Sequence, residues 1–119
     1  MLTSNALELE EYQRMTDTTA IYPEAGDGSA QALAYVTLGL TGEAGEVANK
    51  VKKILRDSSG VVSDAVREDL LKETGDILWY LARLATELGA SLGQVGQDNL
   101  NKLLDRKERG VIGGSGDVR

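Results

Sequence analysis

Two pairs of carboxylates carry the chemistry this chain could do. Glu43 and Glu46 stand in the run GEAGE, and Glu73 and Asp76 stand in ETGD. Residues three apart lie on neighbouring parts of one helix face. If each pair sits on a helix and the helices pack, four acids converge. Converging carboxylates repel, and burial raises the cost by several kcal/mol, so either a pKa rises or a cation neutralises the group. The chain contains no His and no Cys. That excludes imidazole and thiolate zinc sites, Ser-His-Asp chemistry and the Glu-x-x-His pattern of di-iron bundles. Oxygen ligands alone suit magnesium, manganese or calcium. The plain alternative is a solvated acidic face, with Lys50 and Lys53 pairing with Glu46 on the same helix. The residues alone do not choose between the two.

Glycines sharpen the question. Gly39, Gly42, Gly45 and Gly75 stand beside the acids, inside stretches that otherwise read as helix. Each costs about 1 kcal/mol relative to alanine there. Close approach of another helix, or of a ligand, is the expected reason.

The acids need helices to position them, and the apolar spacing supplies four. The first is expected over about 6–18, capped by Ser4 or Asn5. A loop, IYPEAGDG, holds the only proline. The second helix starts near Ser29 and runs to about Leu55, and RDSSGVV ends it. Its stripe of Leu33, Val36, Leu40, Val47, Val51 and Ile54 spans about 60°, with Glu43 at the edge. The third starts near Ser63 or Asp64 and ends near Leu88, with Gly89 just past its end. Its apolar face is Leu70, Ile77, Leu81, Leu84 and Leu88, widened by Leu71, Leu78, Ala82 and Ala85, leaving a narrow polar arc of Glu73, Asp76, Tyr80, Arg83 and Glu87. The fourth runs from Ser91, paired with Gln94 as a capping box, to about Arg109–Gly110. The Gly-rich tail, 110–119, is expected to be flexible. The expected fold is all-α: one domain over 1–119, a four-helix bundle-like protomer.

A phosphorylated ligand would need cations beyond a metal. On the fourth helix Asn99, Lys102 and Arg106 fall within about 60° of one another, beside Val95 and Leu92. Lys53 and Arg109 are further phosphate candidates. Tyr80 lies on the acidic arc, where it could stack on a base, whereas Trp79 reads as core or interface packing. Any one of the basic residues alone reads more simply as a solvated face.

The formal charge of −6 argues against a nucleic-acid backbone as partner. No apolar run approaches the 18 or so residues of a membrane span, and no membrane partner is expected. The N-terminus, MLTSNALELEEYQR, lacks the basic-then-apolar layout of a leader, so a cytoplasmic place is expected. At 119 residues one core is feasible, and small helical proteins often complete theirs by pairing.

The runs LGLTGEAGEVANKVKK, KETGDILWYLARLATELG and NLNKLLDRKERG resemble the MazG-like nucleoside triphosphate pyrophosphohydrolases. The likeness extends from about Tyr12 to the C-terminus. The family pattern is E-E-x-x-E followed, after a gap, by E-x-x-D. Here the first glutamate is replaced by Gly42, while Glu43, Glu46, Glu73 and Asp76 match the rest. The resemblance implies these four as metal ligands, with magnesium as the ion and manganese as the alternative. It implies hydrolysis of a nucleoside triphosphate between the α and β phosphates, with Glu43 or Glu46 as general base. Asn99 and Lys102 match family positions that contact the nucleotide. A homodimer or dimer of dimers is implied as well. Two alternatives stand beside this reading. One is a dUTP/dCTP-type or phosphoribosyl-ATP-type hydrolase sharing the acidic cage. The other is a helical interaction module whose acids are structural.

Overall fold

The computed structural model describes residues 6–118. The chain forms α1 (Leu9–Thr16), a 3-10 turn (Asp17–Thr19), α2 (Ala30–Asp57), α3 (Asp64–Glu87) and α4 (Leu92–Glu108). Among the described residues there is no strand. The architecture is all-helical, as the apolar spacing predicts. No helix is long and apolar enough to cross a membrane among the described residues.

Three serines start the three longer helices. The hydroxyls of Ser29, Ser63 and Ser91 accept from the amides of Ala32, Val66 and Gln94 at 3.1, 3.2 and 3.2 Å. Each satisfies one of the amides a helix start leaves open. The capping box at α4 is only half made. The Gln94 side chain donates to Asp98 at 2.8 Å instead of turning back to Ser91. The first helix is shorter than expected. It begins at Leu9 behind Glu8, whose side chain makes no capping bond. The caps expected at Ser4 and Asn5 fall outside the described residues. At the end of α3, Gly89 takes φ +70°. Its amide donates to Thr86 O at 3.0 Å, and that of Ala90 donates to Ala85 O at 2.8 Å. This is the left-handed termination a glycine permits, and it turns the chain directly into α4.

α2 and α3 form an antiparallel hairpin, and α1 and α4 both pack on α3. α2 and α4 do not meet among the described residues. Gln13 laces α1 to the α3–α4 corner. Its amide donates to Thr86 Oγ1 at 3.0 Å and Ala90 O at 2.8 Å, and its carbonyl accepts from Leu92 N at 2.7 Å.

The core differs from the stripes read off the helices. On α2, Val36 and Ile54 are buried and Glu43 is half-buried at the stripe's edge, but Val51 is exposed. On α3 the expected faces hold in part: Leu70, Ile77 and Leu84 are half-buried, Ala82 and Ala85 are buried and Asp76 is exposed, but the ends of the stripe and of the arc are not as expected. Leu81 and Leu88 of the apolar stripe are exposed, Leu88 by 63%, whereas Arg83 and Glu87 of the polar arc are buried. The physical reason is polar satisfaction. Arg83 and Glu87 find partners on α1 and the following loop, so their side can pack inward. The core itself is Tyr22, Ala32 and Val36, with Trp79, Tyr80 and Leu84 against it.

Candidate active site

The hairpin brings three of the four acids together. One carboxylate oxygen each from Glu43, Glu73 and Asp76 lies within 4.8 Å of the others. Glu43 comes from α2, the other two from α3, and the antiparallel packing places their turns side by side. The Glu43 and Glu73 carboxyls are close enough to share a proton. That contact first, then burial, then the charges of Asp76, Glu73 and Glu46, hold Glu43 above its ordinary pKa. When both are ionised, Glu73 Oε2 is sealed from water and has no donor. A buried carboxylate oxygen without a donor is costly. A divalent cation between these oxygens would satisfy it, and an all-oxygen donor set suits a hard ion. The residues therefore fit a divalent metal. Glu46 is exposed and lies outside this compact group, though its charge acts on Glu43.

A cavity of about 350 Å³ opens beside the acids, lined by Thr19, Glu43, Asp76, Trp79 and Tyr80. Its aromatic wall continues inward. The rings of Trp79 and Tyr80 meet edge to face at 5.1 Å, Trp79 meets Tyr22 at 6.2 Å, and Tyr22 stacks on Tyr35 at 4.9 Å. Burial is the first cause that raises the pKa of Tyr80, followed by Tyr35 and Glu43. Tyr80 reaches this place because α2 is bare at Gly39. A Cβ there would lie 2.2 Å from the Tyr80 ring. The close approach expected at the helix glycines thus holds at Gly39. It does not hold at Gly42, Gly45 or Gly75, where a Cβ would meet nothing within 4 Å among the described residues.

The basic candidates lie elsewhere. Lys53 lines a separate depression with Lys50, Ile54, Asp57, Val66 and Asp69, further along the hairpin. Asn99 and Lys102 line a third with Val95 and Asp98 on α4. This depression shares no lining residue with the cavity beside the acids. Lys102 and Arg106 instead hold the tail. Asp117 accepts from Lys102 Nζ and Arg106 Nη2 at 3.3 Å each, and its backbone oxygen accepts from Arg106 at 2.9 Å. The Gly-rich stretch 110–118, expected to be flexible, turns back on α4 through these bonds. Arg106 is buried under it. Arg109 pairs with Asp105 at 2.8 Å.

Sequence reasoning missed a buried ionic group next to the cavity. Arg83, 2% exposed, is bonded to Asp17, to Thr16 Oγ1 at 3.2 Å and to Tyr22 Oη at 3.2 Å. Glu87, 5% exposed, accepts from Tyr22 Oη and from the amides of Gly26 and Gly28 at 2.7 and 2.8 Å. Burial alone would raise the Glu87 pKa, but these donors and Arg83 leave it below the ordinary value. The signal was present as an Arg and a Glu four apart on the polar arc of α3, next to Tyr80.

Comparison with known proteins places the chain in a family. A family model described as the MazG nucleotide pyrophosphohydrolase domain matches residues 31–111, which span both acid pairs and α4. A protein of Mycobacterium phage L5, described as Gene 37 protein, is 57% identical over 114 residues, covering 95% of this chain and all of the relative. No solved structure matches. With its acids gathered on an antiparallel hairpin and the family model covering most of its length, the chain belongs to the MazG nucleotide pyrophosphohydrolase domain family.

Proposed function

We propose that this protein is a magnesium-dependent nucleotide pyrophosphohydrolase, acting on cytoplasmic nucleoside triphosphates and releasing a monophosphate and pyrophosphate. The observation that carries the reading is the buried, donorless Glu73 Oε2 among Glu43 and Asp76. Glu73 opens the E-x-x-D run by which the sequence resembles the family.

Glu43, Glu73 and Asp76 would hold the ion, with Glu46 as a fourth ligand or as the base. Bound magnesium, or manganese, supplies charge neutralisation and Lewis-acid polarisation of the phosphate oxygens. The residues of the chain do the rest. Glu46, exposed and one turn from Glu43, would take the proton of an attacking water. That water adds to phosphorus, the phosphoanhydride bond breaks, and pyrophosphate leaves. Glu43 is the alternative base. Tyr80 supports the nucleoside end in the cavity.

Asn99, Lys102, Arg106, Arg109 and Lys53 remain proposed phosphate contacts. Lys53, and Asn99 with Lys102, line depressions that share no residue with the cavity beside the acids, which favours a second copy as the source of such contacts. The exposed leucines of α3 and α4 favour the same arrangement, a homodimer or a dimer of dimers.

The test is product analysis on a nucleotide panel with magnesium. Monophosphate plus pyrophosphate supports the reading, and diphosphate plus phosphate rejects it. Among active nucleotides, the preferred base separates a general enzyme from a dUTP/dCTP-type or phosphoribosyl-ATP-type one. No turnover, together with no magnesium-dependent rise in melting temperature, would instead leave the acids structural.

A further inference from the structure

We infer that Arg83 and Glu87 are positioning residues that set the nucleotide wall of the cavity through Thr19 and Trp79. The inference rests on the proposed nucleotide reading of that cavity. Thr19 is the cavity residue that comes from outside the α2–α3 hairpin. It lies between two residues that Arg83 grips, Asp17 on one side and Tyr22 on the other. Glu87 closes the same loop by bonding Tyr22 and the amides of Gly26 and Gly28. Held in this way, Thr19 Oγ1 accepts from Trp79 Nε1 at 2.9 Å and donates to Thr16 O at 3.3 Å. The indole is thereby fixed edge-on to Tyr80, the ring that faces Glu43 and Asp76.

A buried ion pair is weak evidence for stability, because well-packed apolar groups would serve as well. What it does supply is a unique place for the atoms it binds. Here those atoms fix both ends of the segment that carries Thr19. The pair touches none of the three clustered acids, so it acts on the nucleoside side of the cavity and not on the metal.

Trp79 is the only tryptophan, so its fluorescence reads the wall directly. Two variants test the chain of contacts. Glu87→Gln keeps the shape but turns one accepting oxygen into a donor facing other donors. Thr19→Val leaves the Arg83–Glu87 clamp intact and removes the acceptor for Trp79, together with the long bond to Thr16 O. Both are expected to shift Trp79 emission to the red and to expose it to acrylamide. Both are expected to raise KM for the triphosphate by about three- to tenfold with kcat changed less than about twofold. The magnesium-dependent rise in melting temperature should stay at the wild-type size.

Folded variants with wild-type emission and KM overturn the inference while the proposed function stands. A loss of magnesium stabilisation in step with the KM change also overturns it, since the effect is then global. If Glu87→Gln loses its helical circular dichroism, Thr19→Val decides. A wild-type protein that neither binds nor hydrolyses any nucleotide overturns the proposed function itself, and this inference with it.

Discussion

Glu43 and Glu87 are both half-hidden or hidden carboxylates on the α2–α3 hairpin, yet their surroundings push them in opposite directions. Glu43 faces other acids and is held above its ordinary value of 4.5. Glu87, with its three donors and Arg83, is held below it. The consequences for stability have opposite signs. For Glu43 the folded state binds a proton more readily than the unfolded chain. Its contribution is fully present below 4.5, and is lost as pH rises from there through the raised folded value. For Glu87 the contribution is present above 4.5 and is lost as pH falls through the lowered folded value. Glu43→Gln should therefore raise the melting temperature of the metal-free protein near neutral pH, by a few degrees for about 1 kcal/mol. It should also abolish the gain on adding magnesium. Glu87→Gln should lower stability at neutral pH and flatten the acid limb of the pH profile. Thermal melts of both variants from pH 4 to 8, with and without magnesium, check the pair. A Glu43→Gln protein that still gains stability from magnesium would remove Glu43 from the site.

At the scale of the helices, the two glycines three residues apart on α2 make a clean comparison. Alanine at Gly39 would drive its Cβ into the Tyr80 ring at 2.2 Å, whereas alanine at Gly42 meets nothing within 4 Å. Both substitutions gain helix propensity of about 1 kcal/mol. Overpacking of about 1–3 kcal/mol more than cancels that gain at Gly39. Gly42→Ala is thus expected to stabilise and Gly39→Ala to destabilise, measured by urea denaturation. If Gly42→Ala also weakens nucleotide binding, the open space is used by substrate. These elements also show what could be read in advance. The acid pairs, the serine caps and the turn at Gly89 depend on residues three to six apart, so the order of amino acids displays them. The burial of Arg83 does not. Its partners Thr16, Asp17 and Tyr22 lie 61 to 67 positions away, and no periodicity on α3 reports them. The same distance explains why Arg83 and Glu87 turn inward while Leu81 and Leu88 stay exposed. A wheel ranks side chains by their own polarity, whereas the fold ranks them by whether partners are at hand.

The whole protomer is open for its size. The Cα radius of gyration is 17.2 Å, against about 13 to 14 Å for a compact chain of this length. Leu88 on α3 and Leu104 on α4 are 63% and 60% exposed. Monomers rarely leave so much apolar side chain in water. A second copy over this surface is the proposed cover, and Leu88→Glu is the probe. Sedimentation should show a dimer or larger for the wild type and a smaller species for the variant. A monomeric wild type at micromolar concentration would reject the proposed assembly. The hairpin has another consequence, in time and not in space. Glu43, Glu73 and Asp76 all come from two helices joined by a short turn, and among the helices α2 meets only α3. Bringing these acids together closes a shorter stretch of chain than drawing Tyr22, Gly26 and Gly28 onto Glu87, 59 to 65 positions away, and so costs less chain entropy. The acids are therefore expected to meet before the N-terminal loop is drawn onto Glu87. A cation present at that moment relieves their repulsion while the cavity wall is still unbuilt. The proposed metal seat would then form first and the proposed nucleotide wall second, with Arg83 and Glu87 completing the last step.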